Sequence, residues 1–180
     1  MTGRTSFGAP WSGLLKLTSA LAAALLVAIG VSLQHTSHTY PRLQLDGLPV
    51  RWAAIAIWGV LLGSVLFTVR GYQLTPSELL VQRLLWATRI PLQDLRAAWA
   101  DPAAMKGSLR LFGNGGLFGI IGVFKNRKLG RYRAYATEPK NSVVLEFAWR
   151  TVVVTPDDPQ EFLGTLAVHS PRASVGAAPR

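Results

Sequence analysis

Thr151-Val152-Val153-Val154-Thr155-Pro156-Asp157-Asp158-Pro159-Gln160-Glu161-Phe162-Leu163-Gly164-Thr165-Leu166 reads as a strand that runs into a capped helix. The β-branched run from Thr151 to Thr155 favours extended backbone, and Pro156 stops it. Pro159 suits the first helical position, where a missing amide hydrogen costs nothing. That makes Asp158 the cap and Glu161 the third residue of a capping-box-like start. Phe162, Leu163 and Leu166 then give the helix one apolar face.

The residues upstream supply those strands. Tyr72–Thr75, Leu79–Arg83, Trp86–Ile90, Leu92–Trp99 and Ser108–Phe112 are short extended runs broken by Gly, Pro and polar turns. Leu95 and Trp99 are candidate inward residues. Arg131–Thr137 and Val143–Ala148 predict a hairpin across Glu138-Pro139-Lys140-Asn141. About seven strands at regular spacing predict a mainly-β antiparallel sandwich or barrel over residues 71–168. Residues 169–180, rich in Pro, Ala, Gly and Ser, predict a disordered tail.

The glycine-rich stretch Phe112-Gly113-Asn114-Gly115-Gly116-Leu117-Phe118-Gly119 lies inside this order, followed by Phe124, Leu129-Gly130 and Tyr135-Ala136-Thr137. Together with Val152–Pro159 and Glu161-Phe162, it resembles the bacterial PH (pleckstrin-homology-like) domain family of the membrane-anchored type. The resemblance implies a PH-like sandwich with one C-terminal helix. It implies a binding module and supplies no reaction. Gly113, Gly115, Gly116 and Gly119 are the family-like positions. As a phosphate loop the stretch fails: it has no correctly placed lysine, the third glycine of a dinucleotide fingerprint falls on Phe118, and no βαβ unit surrounds it. Its glycines suit a tight turn or bulge. Leu117 to Phe124 then face either the core or a membrane.

Ahead of the domain lie two uncharged apolar stretches, residues 17–33 and 52–69, near the shortest length that spans a bilayer. Lys16 can snorkel, and Trp11, Tyr40 and Trp52 suit the headgroup level. The apolar run at 17–33 is longer than a signal-peptide core and no clear cleavage site follows, which favours an uncleaved helix. The expected order is an internal segment 1–16, a first transmembrane helix, an external loop 34–51 and a second transmembrane helix. Arg4, Lys16, Arg70, Arg83 and Arg89 flank one side, against Arg42 and Arg51 on the other. This bias places both termini on the cytoplasmic side of the plasma membrane. Gly59 and Gly63 form G-x-x-x-G, and Ala20, Ala24 and Ala28 a small ridge, so these faces are expected to pack as a hairpin or between copies. Neither stretch contains an ionisable residue, which counts against a transporter or ion path.

Composition narrows the function further. Hydrophobic residues make up 49 % of the chain and charged ones 16 %, and mean hydropathy is +0.27. There is no cysteine, so disulfides, thiol catalysis and cysteine-held metals are excluded. The net charge of +10 invites acidic partners. Lys125, Arg127, Lys128, Arg131 and Arg133 cluster without an intervening acid. They are candidates for contact with anionic lipid or a protein partner, against a plain reading as solvated surface. Nucleic acid is the weaker option, since no recognised motif accompanies the charge. His35-x-x-His38 has metal-ligand spacing but only Asp46 near it, and a polar loop explains it as well. No catalytic motif occurs, and no cofactor or metal is expected. The expectation is a non-enzymatic, membrane-anchored binding or scaffold module, with an accessory subunit or assembly factor of a membrane complex, acting through its helices, as the alternative, and a hydrolase or transferase with a site no motif reveals as the third reading.

Overall fold

The computed structural model describes residues 5–40, 44–45 and 48–176. Arg4, Arg42 and Asp46, which entered the charge and metal readings, and residues 177–180 of the predicted tail lie outside them. Strand β1 (Ser6–Gly8) leads into helix α1 (Gly13–Thr39). Two short strands, β2 (Gln44–Leu45) and β3 (Leu48–Pro49), precede helix α2 (Val50–Leu66). Then come β4 (Gly71–Leu74), β5 (Glu78–Gln82), β6 (Ala87–Pro91), β7 (Leu95–Ala100), β8 (Leu109–Gly115), β9 (Ile120–Asn126) and β10 (Gly130–Ala136). A 3-10 turn at Pro139–Asn141 precedes β11 (Val143–Phe147) and β12 (Thr151–Val154), and α3 (Pro159–His169) and β13 (Ser174–Val175) end the described chain.

The strands form two sheets, β1-β4-β5-β6 and β13-β7-β11-β12-β10-β9-β8, with β2 and β3 paired separately. Leu79 and Val81 of β5 and Tyr72 and Leu74 of β4 turn inward from the smaller sheet. Val143, Leu145, Val152 and Val154 meet them from the larger one. Val153 points the other way, into a second cluster with Trp99, Phe124 and Tyr132. The unbroken valine run of β12 is thus buried on both faces, as a central strand should be.

This explains a departure from the expected hairpin. β11 does not pair with β10. β12 lies between them, antiparallel to β11 and parallel to β10, with Ala134 opposite Val153. The 3-10 turn carries β11 away from β10, and the Thr155 hydroxyl, accepting from the Thr137 amide at 2.9 Å, fastens β12 in the gap. Between residues 71 and 154 there are nine strands where about seven were expected. The addition is chiefly β9, which a glycine-rich loop was expected to occupy.

Helix α3 starts as read. The Asp158 side chain accepts from the amides of Gln160 and Glu161, with Pro159 first in the helix. Phe162 and Leu166 are fully buried in the core. Both chain ends depart from expectation. The amino-terminal segment is part of the domain: β1 pairs antiparallel with β4, and Phe7, 1 % exposed, stacks edge-to-face on Phe162 at 5.2 Å. At the other end, residues 170–176 are ordered rather than disordered. β13 pairs parallel with β7, and Ala173 and Val175 pack on the core.

α1 is longer than residues 17–33, and its 27 residues extend about 40 Å. It is the one described helix long and apolar enough to cross a membrane. α2 is apolar but has only 17 residues, and it ends at Leu66 rather than 69. Val69, placed in the second apolar span by sequence, is instead buried in the β core. The two helices pack together, but not on the expected small-residue ridges. Leu15, Ser19 and Gly30 are the buried positions of α1, while Ala20, Ala24 and Ala28 are exposed. Gly30 is the point of close approach, where an added Cβ would lie 3.2 Å from the Trp58 ring. Gly59 and Gly63 have nothing within 4 Å of an added Cβ, so neither makes the hairpin contact.

Tyr72 joins the two sheets. Its hydroxyl donates to the Tyr135 carbonyl at 2.5 Å and accepts from the Thr155 amide at 3.1 Å. Burial pushes its pKa up to about 12, against the lowering effect of the Thr155 bonds. Tyr72→Phe orphans the Thr155 amide, so it should cost about 1–3 kcal/mol in thermal or denaturant unfolding. The unfolded chain releases this proton near pH 10 and the folded chain holds it until about 12. Stability should therefore fall as pH rises through that window, by about 3 kcal/mol from this group. The Phe variant should lack that component. Phe7→Ala should cost about 3–5 kcal/mol, which no free amino-terminal segment would show.

Candidate functional site

Residues 112–124 form a hairpin, not a loop. β8 and β9 pair along their length, with Gly113 opposite Gly122. At this pair the backbones are so close that a Cβ on Gly122 would lie 2.1 Å from the Phe112 carbonyl oxygen. Both glycines have positive φ, +106° and +148°, so no other residue fits either position without opening the hairpin. The turn is held from inside by Asn114. Its Oδ1 accepts from the amides of Gly116 and Leu117, and its Nδ2 donates to the Leu117 carbonyl.

The tip of this hairpin grips α1. The Ser19 hydroxyl accepts from the Phe118 amide at 2.9 Å and donates to the Gly116 carbonyl at 3.2 Å. Phe118, whose φ is +59°, lies beside Trp11 with ring centroids 6.1 Å apart. The Ser19 hydroxyl thus satisfies the polar backbone of a turn, and the Thr18 hydroxyl donates to the same Gly116 carbonyl at 3.5 Å. Of the stretch from Leu117 to Phe124, expected to face either core or membrane, Ile120, Ile121 and Phe124 pack on the β cores. Phe124 and Ile120 belong to the cluster on the outer face of the large sheet, while Ile121 and Val123 face the opposite way.

That opposite face overhangs the smaller sheet. Three cross-strand rows run across it: Tyr135–Ile121–Asn114, Arg133–Val123–Phe112 and Arg131–Lys125–Leu109. Tyr135 still belongs to the core. The next two rows do not; Phe112 is 78 % exposed. The end of α2 stands opposite, so a groove of about 650 Å³ opens between helix and sheet. Val60, Gly63, Ser64 and Phe67 form its helical wall. Ile121, Val123 and Tyr135 form its floor, and Arg83, Arg110 and Arg133 supply its charge.

Arg83 is the buried member of these three, 9 % exposed. It donates to the Phe67 carbonyl at the end of α2 and, at 3.1 Å, to the Thr88 hydroxyl. Its guanidinium lies over the rings of Phe67, Tyr135 and Trp86 at 5.4, 5.5 and 6.0 Å. Aromatic faces and a helix-terminal carbonyl suit a cation that no carboxylate accompanies. Desolvation lowers its pKa, and the neighbouring Tyr135 and Tyr72 act the other way.

The basic cluster read from sequence divides. Lys125, Arg131 and Arg133 share the overhanging face, and Arg127 is exposed in the β9–β10 turn. Lys128 pairs with Asp101 at 2.5 Å and belongs to the outer side. Of the glycines, Gly113 lines the groove, while Gly115 and Gly116 line a second hollow of about 590 Å³ toward α1. Gly119 is buried in the turn. His35 and His38 lie in the last turns of α1, and no group of three potential metal ligands occurs among the described residues. Sequence reasoning missed Arg83, Arg110, Asn114 and Ser19. The signals that could have found them were a serine inside a span and an arginine between Leu109 and Leu111.

Residues 70–170 match the family model described as bacterial PH domain. No curated protein and no solved structure matches the chain.

Ser19→Ala removes both bonds to the turn. Hydrogen exchange at the Phe118 amide should speed by about tenfold or more, while the Val153 amide in the core keeps its protection. Gly122→Ala forces the hairpin apart and should cost more than about 2 kcal/mol in unfolding.

Proposed function

Because the chain belongs to the bacterial PH domain family, we propose that it is a membrane-anchored, non-enzymatic binding module of the plasma membrane. α1 and α2 hold the domain against the cytoplasmic leaflet, and its basic overhang meets acidic lipid headgroups or a protein partner there. One observation carries this reading: both feet of the helix pair are strands or bonds of the domain itself. The Ala9 amide donates to Arg70, the Asp157 amide to Gly8 and the Ser12 amide to Thr137. There is no free linker between the helices and the β sheets. Such a domain stays within a few ångströms of the membrane surface, where a local concentration in the millimolar range makes weak contacts sufficient. Lys125, Arg127, Arg131 and Arg133 are exposed, and each basic residue near an anionic leaflet contributes about 1 kcal/mol.

A second reading has its own observation. Gly59 and the Ala20, Ala24 and Ala28 ridge face outward, away from the helix pair. They are free to pack on another membrane helix, as an accessory subunit would require. Gly59→Leu should break such an assembly in cross-linking and leave the module's own fold intact.

The absence of native cysteine makes the topology directly testable. Gln44→Cys sits in the connection between the helices and Trp149→Cys in an exposed turn of the domain. An impermeant maleimide should label the first in intact cells and the second only after the cells are opened. Labelling of Trp149→Cys in intact cells, or release of the protein by alkaline carbonate, would overturn the proposal.

A further inference from the structure

We infer that the groove between α2 and the β8–β10 overhang holds one anionic phospholipid of the leaflet in which the helices stand. Its phosphate sits between Arg110 and Arg133, and one acyl chain runs along Val60, Gly63 and Phe67. This rests on the membrane-anchored reading and names the ligand of that module.

Charge is the first argument. Three arginines line the groove, and no aspartate or glutamate does. Guanidinium groups match phosphate oxygens in number and geometry. The lining is also divided, as an amphiphile requires. Arg110 and Arg133 lie on the sheet side, and the helical wall is apolar apart from Ser64. Depth is the third argument. Val60 belongs to α2 and is exposed, so the groove continues into the surface that α2 presents to the bilayer. A soluble acidic peptide would have to enter through lipid to reach it. A volume of about 650 Å³ holds a headgroup and part of one chain, with the rest left in the bilayer. Gly63 keeps the chain's path open, since nothing lies within 4 Å of where its Cβ would stand.

The test is native mass spectrometry of the full-length protein, delipidated in detergent, with dioleoylphosphatidylglycerol or dioleoylphosphatidylcholine added. One phosphatidylglycerol should be retained per chain, at least tenfold in preference to phosphatidylcholine. Arg110→Gln with Arg133→Gln should cut retention at least tenfold. So should Gly63→Leu, which fills the path without touching a charge and should leave the melting temperature unchanged. Arg127→Gln with Lys128→Gln, outside the groove, should retain lipid as the natural chain does. Equal retention of the two lipids overturns the inference, as does equal loss in the outer pair or displacement of lipid by hexaglutamate. Each variant is also checked by carbonate extraction and maleimide labelling. Lost lipid selectivity with anchoring intact defeats only the groove; lost anchoring defeats the module.

Discussion

The pairing of β1 with β4 is the constraint on which the rest of this structure hangs. Ser6, Phe7 and Gly8 lie opposite Gln73, Tyr72 and Gly71. One strand enters the helix pair and the other leaves it, so a few backbone hydrogen bonds fix both helix feet side by side. The three-residue β1, at the edge of its sheet, would not hold by its ladder alone. It holds because Phe7 and Tyr72 are both fully buried beneath α3 and the large sheet. The helices are therefore attached to the core of the domain and not to its periphery. An isolated domain cut at residue 71 would lose β1 and expose Phe162.

The hairpin of β8 and β9 depends on that attachment. It projects beyond the smaller sheet, which leaves one of its faces without a partner in the sandwich. α1 and α2 supply the partner instead, Ser19 at the tip and Phe67 along the flank. A turn packed on a helix must have its amides and carbonyls satisfied, since an unmet buried backbone group costs free energy comparable to a lost hydrogen bond. Asn114 satisfies it from within and Ser19 from without. The glycine pair at Gly113 and Gly122 brings the strands close enough for both to reach. Gly113 is thus explained by backbone geometry.

What the sequence made legible was local. Asp158, Pro159 and Glu161 mark the start of α3 because a cap is satisfied within one turn. The strands β4, β5 and β11 could be read because one alternation or one turn signal suffices for each. β9 escaped because Ile120 to Phe124 has no alternation: one face meets an outer cluster and the other the core and the groove beside α2, so both are apolar. β1 escaped because three residues with a single phenylalanine carry no period, and their partner is distant in sequence. The parallel pairing of β10 with β12 escaped for a related reason. Only the burial of Val152 to Val154 on both faces reveals it. The helix seam was misplaced because spacing alone favoured Ala20, Ala24 and Ala28. The shape of Trp58 selects Gly30 instead. In the candidate site, the charge of Arg131 and Arg133 was visible, but Arg83 and Arg110 needed the fold to bring them alongside.

Arg83 shows why the junction of helix and domain carries charge at all. A buried guanidinium is costly unless its surroundings replace water. Here a helix-terminal carbonyl, a hydroxyl and three aromatic faces do so, and no carboxylate pairs with it among the described residues. A carboxylate in that place would neutralise the site and fix it as a structural ion pair. Carbonyl and ring contacts stabilise the cation while leaving its net charge uncancelled. The potential it creates extends into the groove, where low-dielectric walls of Phe67 and Tyr135 strengthen it. The same arginine caps α2, packs the β5–β6 turn and sets the sign of the neighbouring surface. A mutation there would alter the helix–domain junction and the charge beside the groove together. Arg110 and Arg133, which the domain's core does not need, are where those two roles separate.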